Sequence, residues 1–167
     1  MTEPRWRPAY IGIGSNLDTP AEQVSRGISA LTTIPNTQLM LQSSCYVSAP
    51  MGPADQPDYV NAVAALLTQL EPADLLSELQ AIETAHGRTR AGERWGPRIL
   101  DLDLLAFADV ILAESELTVP HPGIVERNFV LLPWAEIAPC YRVPGLGSIS
   151  ELSRSIESSE SPLTKID

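Results

Sequence analysis

The sequence predicts an α+β fold: a ferredoxin-like βαββαβ sandwich, with helices packed on an antiparallel-rich sheet and long loops that would frame an active site. Three observations lead there. Segments of strand-like pattern and segments of helical periodicity follow one another in the order β-α-β-β-α-β. Two stretches, residues 48–58 and 88–98, carry the prolines and glycines that break both structures. A chain of 167 residues with 44% hydrophobic side chains can bury one good core.

The elements can be justified in order. Residues 9–14, AYIGIG, read as a short strand. A helix then starts, with Thr19 as cap, Pro20 at the first helical position and Glu22 completing a capping box. Its apolar stripe is Ala21, Val24, Ile28 and Leu31, and Pro35 stops it. Residues 38–47 read as a second strand. Residues 59–70, YVNAVAALLTQL, read as a third, although their alanines leave a helix open. A second helix runs over 71–87, with Pro72 near its start, Leu75, Leu76, Leu79 and Ile82 as its stripe, and Gly87 as its cap. Residues 99–107 form the next strand, and ADVILA turns into an antiparallel partner. One or two short helical pieces lie within 121–139. Residues 1–167 are read as a single domain, with 145–167 a Ser-rich, loosely packed C-terminal tail.

Composition excludes several classes of function. The net charge of −10 argues against nonspecific nucleic-acid binding. No apolar run approaches the ~20 residues of a membrane span, and no signal peptide is visible. Cys45 and Cys140 are read as reduced thiols of a cytoplasmic protein. Of the eleven Lys and Arg, four fall within residues 88–98, and all four are Arg. Such a cluster suits a small polyanion, because guanidinium forks bind phosphate in bidentate fashion.

The stretch RWGPRILDLDLL, residues 94–105, carries the chemistry. Residues two apart on a strand point the same way, so Asp101 and Asp103 share one face and Leu100, Leu102 and Leu104 the other. A polar sheet face salt-bridged to Arg is the plain explanation of such a pair. A magnesium site is the functional one, because that ion takes one or two carboxylates and shares its shell with substrate phosphates. GIGSNL is not a dinucleotide fingerprint, since it lacks the third glycine, and no P-loop is present. Gly12 and Gly14 are read as sites of close packing or a bend. His86 is read as a helix-terminus contact, and His121 as a loop residue able to bind a ligand. By default Tyr59 and Phe129 are core aromatics.

RWGPRILDLDLL, YIGIGSNL, GPADQPDYVNAVAAL, HGRTRAGERWGPR and LTVPH, in that order, resemble the 6-hydroxymethyl-7,8-dihydropterin pyrophosphokinase family over roughly residues 9–140. The resemblance implies transfer of pyrophosphate from ATP to the pterin's hydroxymethyl group, leaving AMP, in folate biosynthesis. It implies two magnesium ions on Asp101 and Asp103, and catalytic roles for these two and for Arg88 and Arg98. It places the triphosphate on Arg88, Arg98, His121 and Arg127, with Arg90 and Gln80 near the nucleotide. It places the pterin between Tyr59 and Phe129, with Asn61 at its edge and Ser48, Met51 and Trp95 in the loops over it. Glu83 aligns near the region between pterin and adenine. Ala91, Glu116 and Pro122 differ from some relatives, at positions that bear on nucleotide contacts. A cytoplasmic monomer is expected, acting on ATP and the pterin, with no nucleic acid or membrane as partner. The alternative is another magnesium-dependent phosphotransferase or nucleotidyltransferase on the same fold. It would have no use for Tyr59, Asn61 and Phe129 as a flat-ligand site.

Overall fold

The computed structural model describes residues 3–17, 19–48, 57–87, 99–156 and 163–166. The main sheet is built from β1 (Arg7–Ser15), β2 (Thr37–Gln42), β3 (Tyr46–Ser48), β4 (Tyr59–Thr68), β5 (Asp101–Phe107) and β10 (Thr164–Lys165). Two small hairpins pair β6 (Leu112–Ala113) with β7 (Thr118–Val119), and β8 (Arg142–Val143) with β9 (Gly147–Ser148). The helices are α1 (Pro20–Leu31), α2 (Pro72–Ala85), α3 (Asn128–Ile137) and α4 (Ile149–Ile156). The sheet runs β10-β3-β4-β1-β5, with β2 also on β4, and every pairing is antiparallel. This is the expected α+β sandwich, with β1 and β4 in the centre of the sheet. Among the described residues no helix is long and apolar enough to cross a membrane.

β4 shows why its alanines make a strand. It is central and buried on both faces, and small side chains let layers close on either side. On one face Ala62, Ala64 and Leu66 join Ile11 and Ile13 of β1 and Leu102 and Leu104 of β5. Val24, Ile28 and Leu31 of α1 and Leu75 and Leu79 of α2 pack onto them. On the other face Val63, Ala65, Tyr10 and Leu105 meet α3 and α4 through Leu131, Trp134, Ile149 and Ile156. The three leucines read as the core face of β5 are buried as expected.

Several details differ from the sequence reading. The strand expected over 38–47 is two strands. Ser43 breaks it, because its hydroxyl accepts the Val63 amide at 2.9 Å and so replaces a backbone partner. The partner of β6 is β7 rather than β5; the amide of His121 donates to the Leu105 carbonyl at 2.8 Å, placing the chain after β7 alongside β5. Thr19 is left-handed, with φ 58°, and makes no side-chain cap. Its hydroxyl donates to Glu22 instead, at 2.9 Å. Ala21 is exposed, and Gln23 and Gly27 are buried in the α1 stripe beside Val24, Ile28 and Leu31. Gly87 follows α2 with φ +91°, a left-handed terminus that glycine adopts without a Cβ penalty.

Part of the segment expected as a loose tail is packed, among the described residues. Ile149 and Ile156 of α4 are buried against α3, and β10 extends the sheet beyond β3. Ser148 caps α4: its Oγ accepts the Glu151 amide at 3.3 Å and donates to the Glu151 carboxylate at 3.0 Å.

Candidate active site

The core of the α3–α4 layer packs on Tyr10, Val63, Ala65 and Leu105 of its sheet face. β1 alternates, so Gly12 and Gly14 continue the face of Tyr10. Register then builds two cross-strand rows. Asp103 stands beside Gly12, and Gly12 beside Val63; Asp101 stands beside Gly14, Gly14 beside Asn61, and Asn61 beside Tyr46. The acids at one end of these rows are therefore separated from Asn61 by a strand that contributes no side chains. Two strand spacings put them about 10 Å apart. The pair of aspartates shares this face as the sequence predicted, and each is half-buried.

Asn61 is 5% exposed, and its Nδ2 donates to Ser48 Oγ at 2.7 Å, which fixes the direction of the amide. Its Oδ1 would lie 2.9 Å from a Cβ on Gly14. The close packing read at Gly14 is thus specific: any side chain there meets the Asn61 amide. Tyr59 begins β4 opposite Ser48, half-buried and outside the fully buried core. Asn16, itself 1% exposed, donates from Nδ2 to the Pro57 carbonyl at 3.1 Å and ties the chain entering β4 to the end of β1. Sequence reasoning missed Asn16. Its only signal was a polar side chain directly after a buried strand.

The basic side of the site comes from the segment leading into α3. Arg127 precedes the helix, and its Nη1 lies 3.8 Å from Asp103 Oδ2. Its guanidinium also sits 5.8 Å from the centroid of the Phe129 ring, in the first turn of α3. Phe129 is partly buried at the rim of the α3 core. His121 accepts the Gly123 amide on Nδ1 at 3.0 Å. An amide can only donate, so the neutral ring carries its proton on Nε2. Burial, and then the charge of Arg127, hold its pKa down at about 4, with Asp101 pulling the other way. His121 is therefore an uncharged donor among charged neighbours.

Other expected residues lie elsewhere. Glu83 is 5% exposed, and its carboxylate accepts the Leu102 amide at 2.8 Å. That amide sits between the two aspartates on the outer edge of β5, so Glu83 supports them from behind. Gln80 is exposed on α2, and its side chain makes no hydrogen bond among the described residues. His86 ends α2, with Nδ1 2.9 Å from the Ile82 carbonyl, the helix-terminus contact expected of it. Neither Cys45 nor Cys140 forms a disulfide. Met51, Arg88, Arg90, Trp95 and Arg98 lie outside the described residues.

Among the described residues no group of three His, Cys, Asp or Glu side chains could enclose a metal. A pair of carboxylates on an open face still fits magnesium, which completes its shell with water and substrate phosphates. It does not fit a closed structural site of four protein ligands.

The fold and the site together define a class, an α+β sandwich that carries a carboxylate pair and a buried amide on one sheet face. The family model for 7,8-dihydro-6-hydroxymethylpterin-pyrophosphokinase (HPPK) matches residues 10–139. A 2-amino-4-hydroxy-6-hydroxymethyldihydropteridine pyrophosphokinase from Haemophilus influenzae is 49% identical over 144 residues, covering 86% of this chain and 89% of the relative. One of the same description from Pseudomonas aeruginosa is 49% identical over 143 residues, covering 86% and 88%. A crystal structure of Plasmodium falciparum HPPK-DHPS with pteroate superposes at TM-score 0.73 and 13% identity, over 92% of this chain and 45% of that one. At that identity the likeness speaks for the fold alone. The chain belongs to the HPPK family and is a pyrophosphokinase.

Proposed function

We propose that the chain transfers the terminal pyrophosphoryl group of ATP to the hydroxymethyl oxygen of 6-hydroxymethyl-7,8-dihydropterin, releasing AMP, as a step of folate biosynthesis. The observation that carries this reading is the strand register, with Asp101 and Asp103 at one side and Asn61 at the other of a glycine-floored strand. Family membership supports it for the reaction as a whole.

In this reading the pterin hydroxyl oxygen bonds to the β-phosphorus. The bond from that phosphorus to the oxygen bridging to the α-phosphorus breaks, and AMP leaves with the electron pair while the hydroxyl proton is lost. Tyr59 and Phe129 stack on the two faces of the pterin, and Asn61, aligned by Ser48, meets its edge. Asp101 and Asp103 would hold magnesium, two ions on this reading, which supplies charge neutralisation around the triphosphate. Arg127 and the Nε2 proton of His121 point the same way chemically: both donate to phosphate oxygens, one charged and one neutral. Family resemblance assigns Met51 and Trp95 to the pterin side. Arg88, Arg90, Arg98 and Gln80 complete the nucleotide side.

The test is an assay with ATP, magnesium and the pterin. AMP must appear in step with pterin diphosphate and depend on both pterin and metal. Formation of ADP, or AMP release indifferent to the pterin, would overturn the proposal.

A further inference from the structure

Gly123 stands between His121 and Arg127 and touches both. Its amide donates to His121 Nδ1 at 3.0 Å. A Cβ built on it would lie 2.8 Å from Arg127 Nε, 2.9 Å from Cζ and 3.2 Å from Nη2. Its backbone, at φ −91° and ψ 3°, lies in the bridge region that L-residues occupy at turns, so a positive φ does not call for glycine here. Space does. The guanidinium of Arg127 lies across the bare Cα of Gly123 and is held there, with a side-chain exposure of 14%, at 3.8 Å from Asp103.

We propose that Gly123 is a positioning residue for nucleotide binding, because its missing side chain sets where the Arg127 guanidinium lies while its amide sets which nitrogen His121 presents. The inference rests on the reading of Arg127 and His121 as triphosphate donors. A methyl group at position 123 costs the fold little, since the atoms it meets are the far end of a flexible side chain. The cost falls on Arg127, which must leave its place over the Cα and with it the approach to Asp103. A planar fork is sensitive to such a shift, because both of its parallel hydrogen bonds depend on direction.

The experiment is calorimetric binding of MgATP, without pterin, to the wild type, Gly123→Ala, Arg127→Ala and the double variant, with thermal melting alongside. Gly123→Ala should weaken MgATP by about tenfold, the equivalent of one ordinary charge-assisted contact. Its melting temperature should stay within about 2 °C of the wild type. In the Arg127→Ala background the same change should add nothing, because the group it displaces is gone. Wild-type affinity in Gly123→Ala, or losses that add across the double variant, would overturn the proposal. So would a melting temperature lowered by more than about 5 °C, which would place Gly123 in the fold instead. Absence of MgATP binding by the wild type would instead strike the triphosphate reading itself.

Discussion

Asp101 and Asp103 project from the edge strand with their backs held: Leu100, Leu102 and Leu104 are buried, and Glu83 takes the amide between them. Replacing either carboxylate by an amide changes charge and leaves shape and packing alone. Asp101→Asn and Asp103→Asn should each cost roughly 3–5 kcal/mol of transition-state stabilisation, two to four orders of magnitude in turnover. Melting temperatures should stay close to that of the wild type, and steady-state kinetics beside a thermal melt checks both. His121 gives a second expectation. Its folded pKa, depressed from 6.5 to about 4, means that folding favours the neutral ring. The resulting stability is fully present above pH 6.5 and is lost as pH falls through about 4. Urea unfolding at pH 7 and at pH 4.5 should therefore show a larger drop for the wild type than for His121→Gln. An NMR titration of the ring should find its midpoint near pH 4, and a midpoint near 6.5 would remove the assignment.

At the scale of elements, α4 offers the sharpest test. Ile149, Leu152, Ser153 and Ile156 follow the helical spacing, and Ile149 is wholly buried. Ile149→Ala should cost roughly 2–4 kcal/mol by chemical denaturation, whereas a loose tail would register almost nothing. The pattern was present in the sequence but masked by serines. Structure shows what they do: Ser148 caps the helix, while Ser153 and Ser155 donate to carbonyls one turn back. Thr19 shows the converse, a capping pattern whose backbone turned left-handed. The main strands and the first two helices were legible because hydrophobic periodicity is set by what each segment buries. Ser43 was illegible as a break because its effect depends on the Val63 amide, twenty residues on.

At the scale of the molecule, one sheet face carries both core residues packed under α3 and α4 and the group formed by Asp101, Asp103 and Asn61. The shared face of the aspartates was readable from spacing alone, whereas the roles of Tyr59, Asn61, Phe129 and the arginines were named only through resemblance to a family. The close approach of Gly14 to Asn61, and of Gly123 to Arg127, joins residues 47 and 4 positions apart across tertiary space or a turn. No local pattern encodes such distances. The spacing of Asn61 from the aspartates predicts separable binding. Phe129→Ala should raise the pterin dissociation constant by about tenfold or more, since it removes one stacking surface. MgATP affinity should change little, and calorimetry with each ligand measures the two independently. Equal weakening of both would mean that Phe129 supports the fold at the head of α3 and does not form one wall of a pterin slot.

The glycine floor of β1 also bears on how this enzyme could escape an inhibitor. A compound resting on that strand would touch main-chain atoms, which point mutation leaves in place. Gly14 cannot acquire a side chain without displacing the Asn61 amide, the group assigned to the pterin's edge. A resistant variant at that position would therefore lose grip on its own substrate along with the drug, and selection would be pushed toward the surrounding loops.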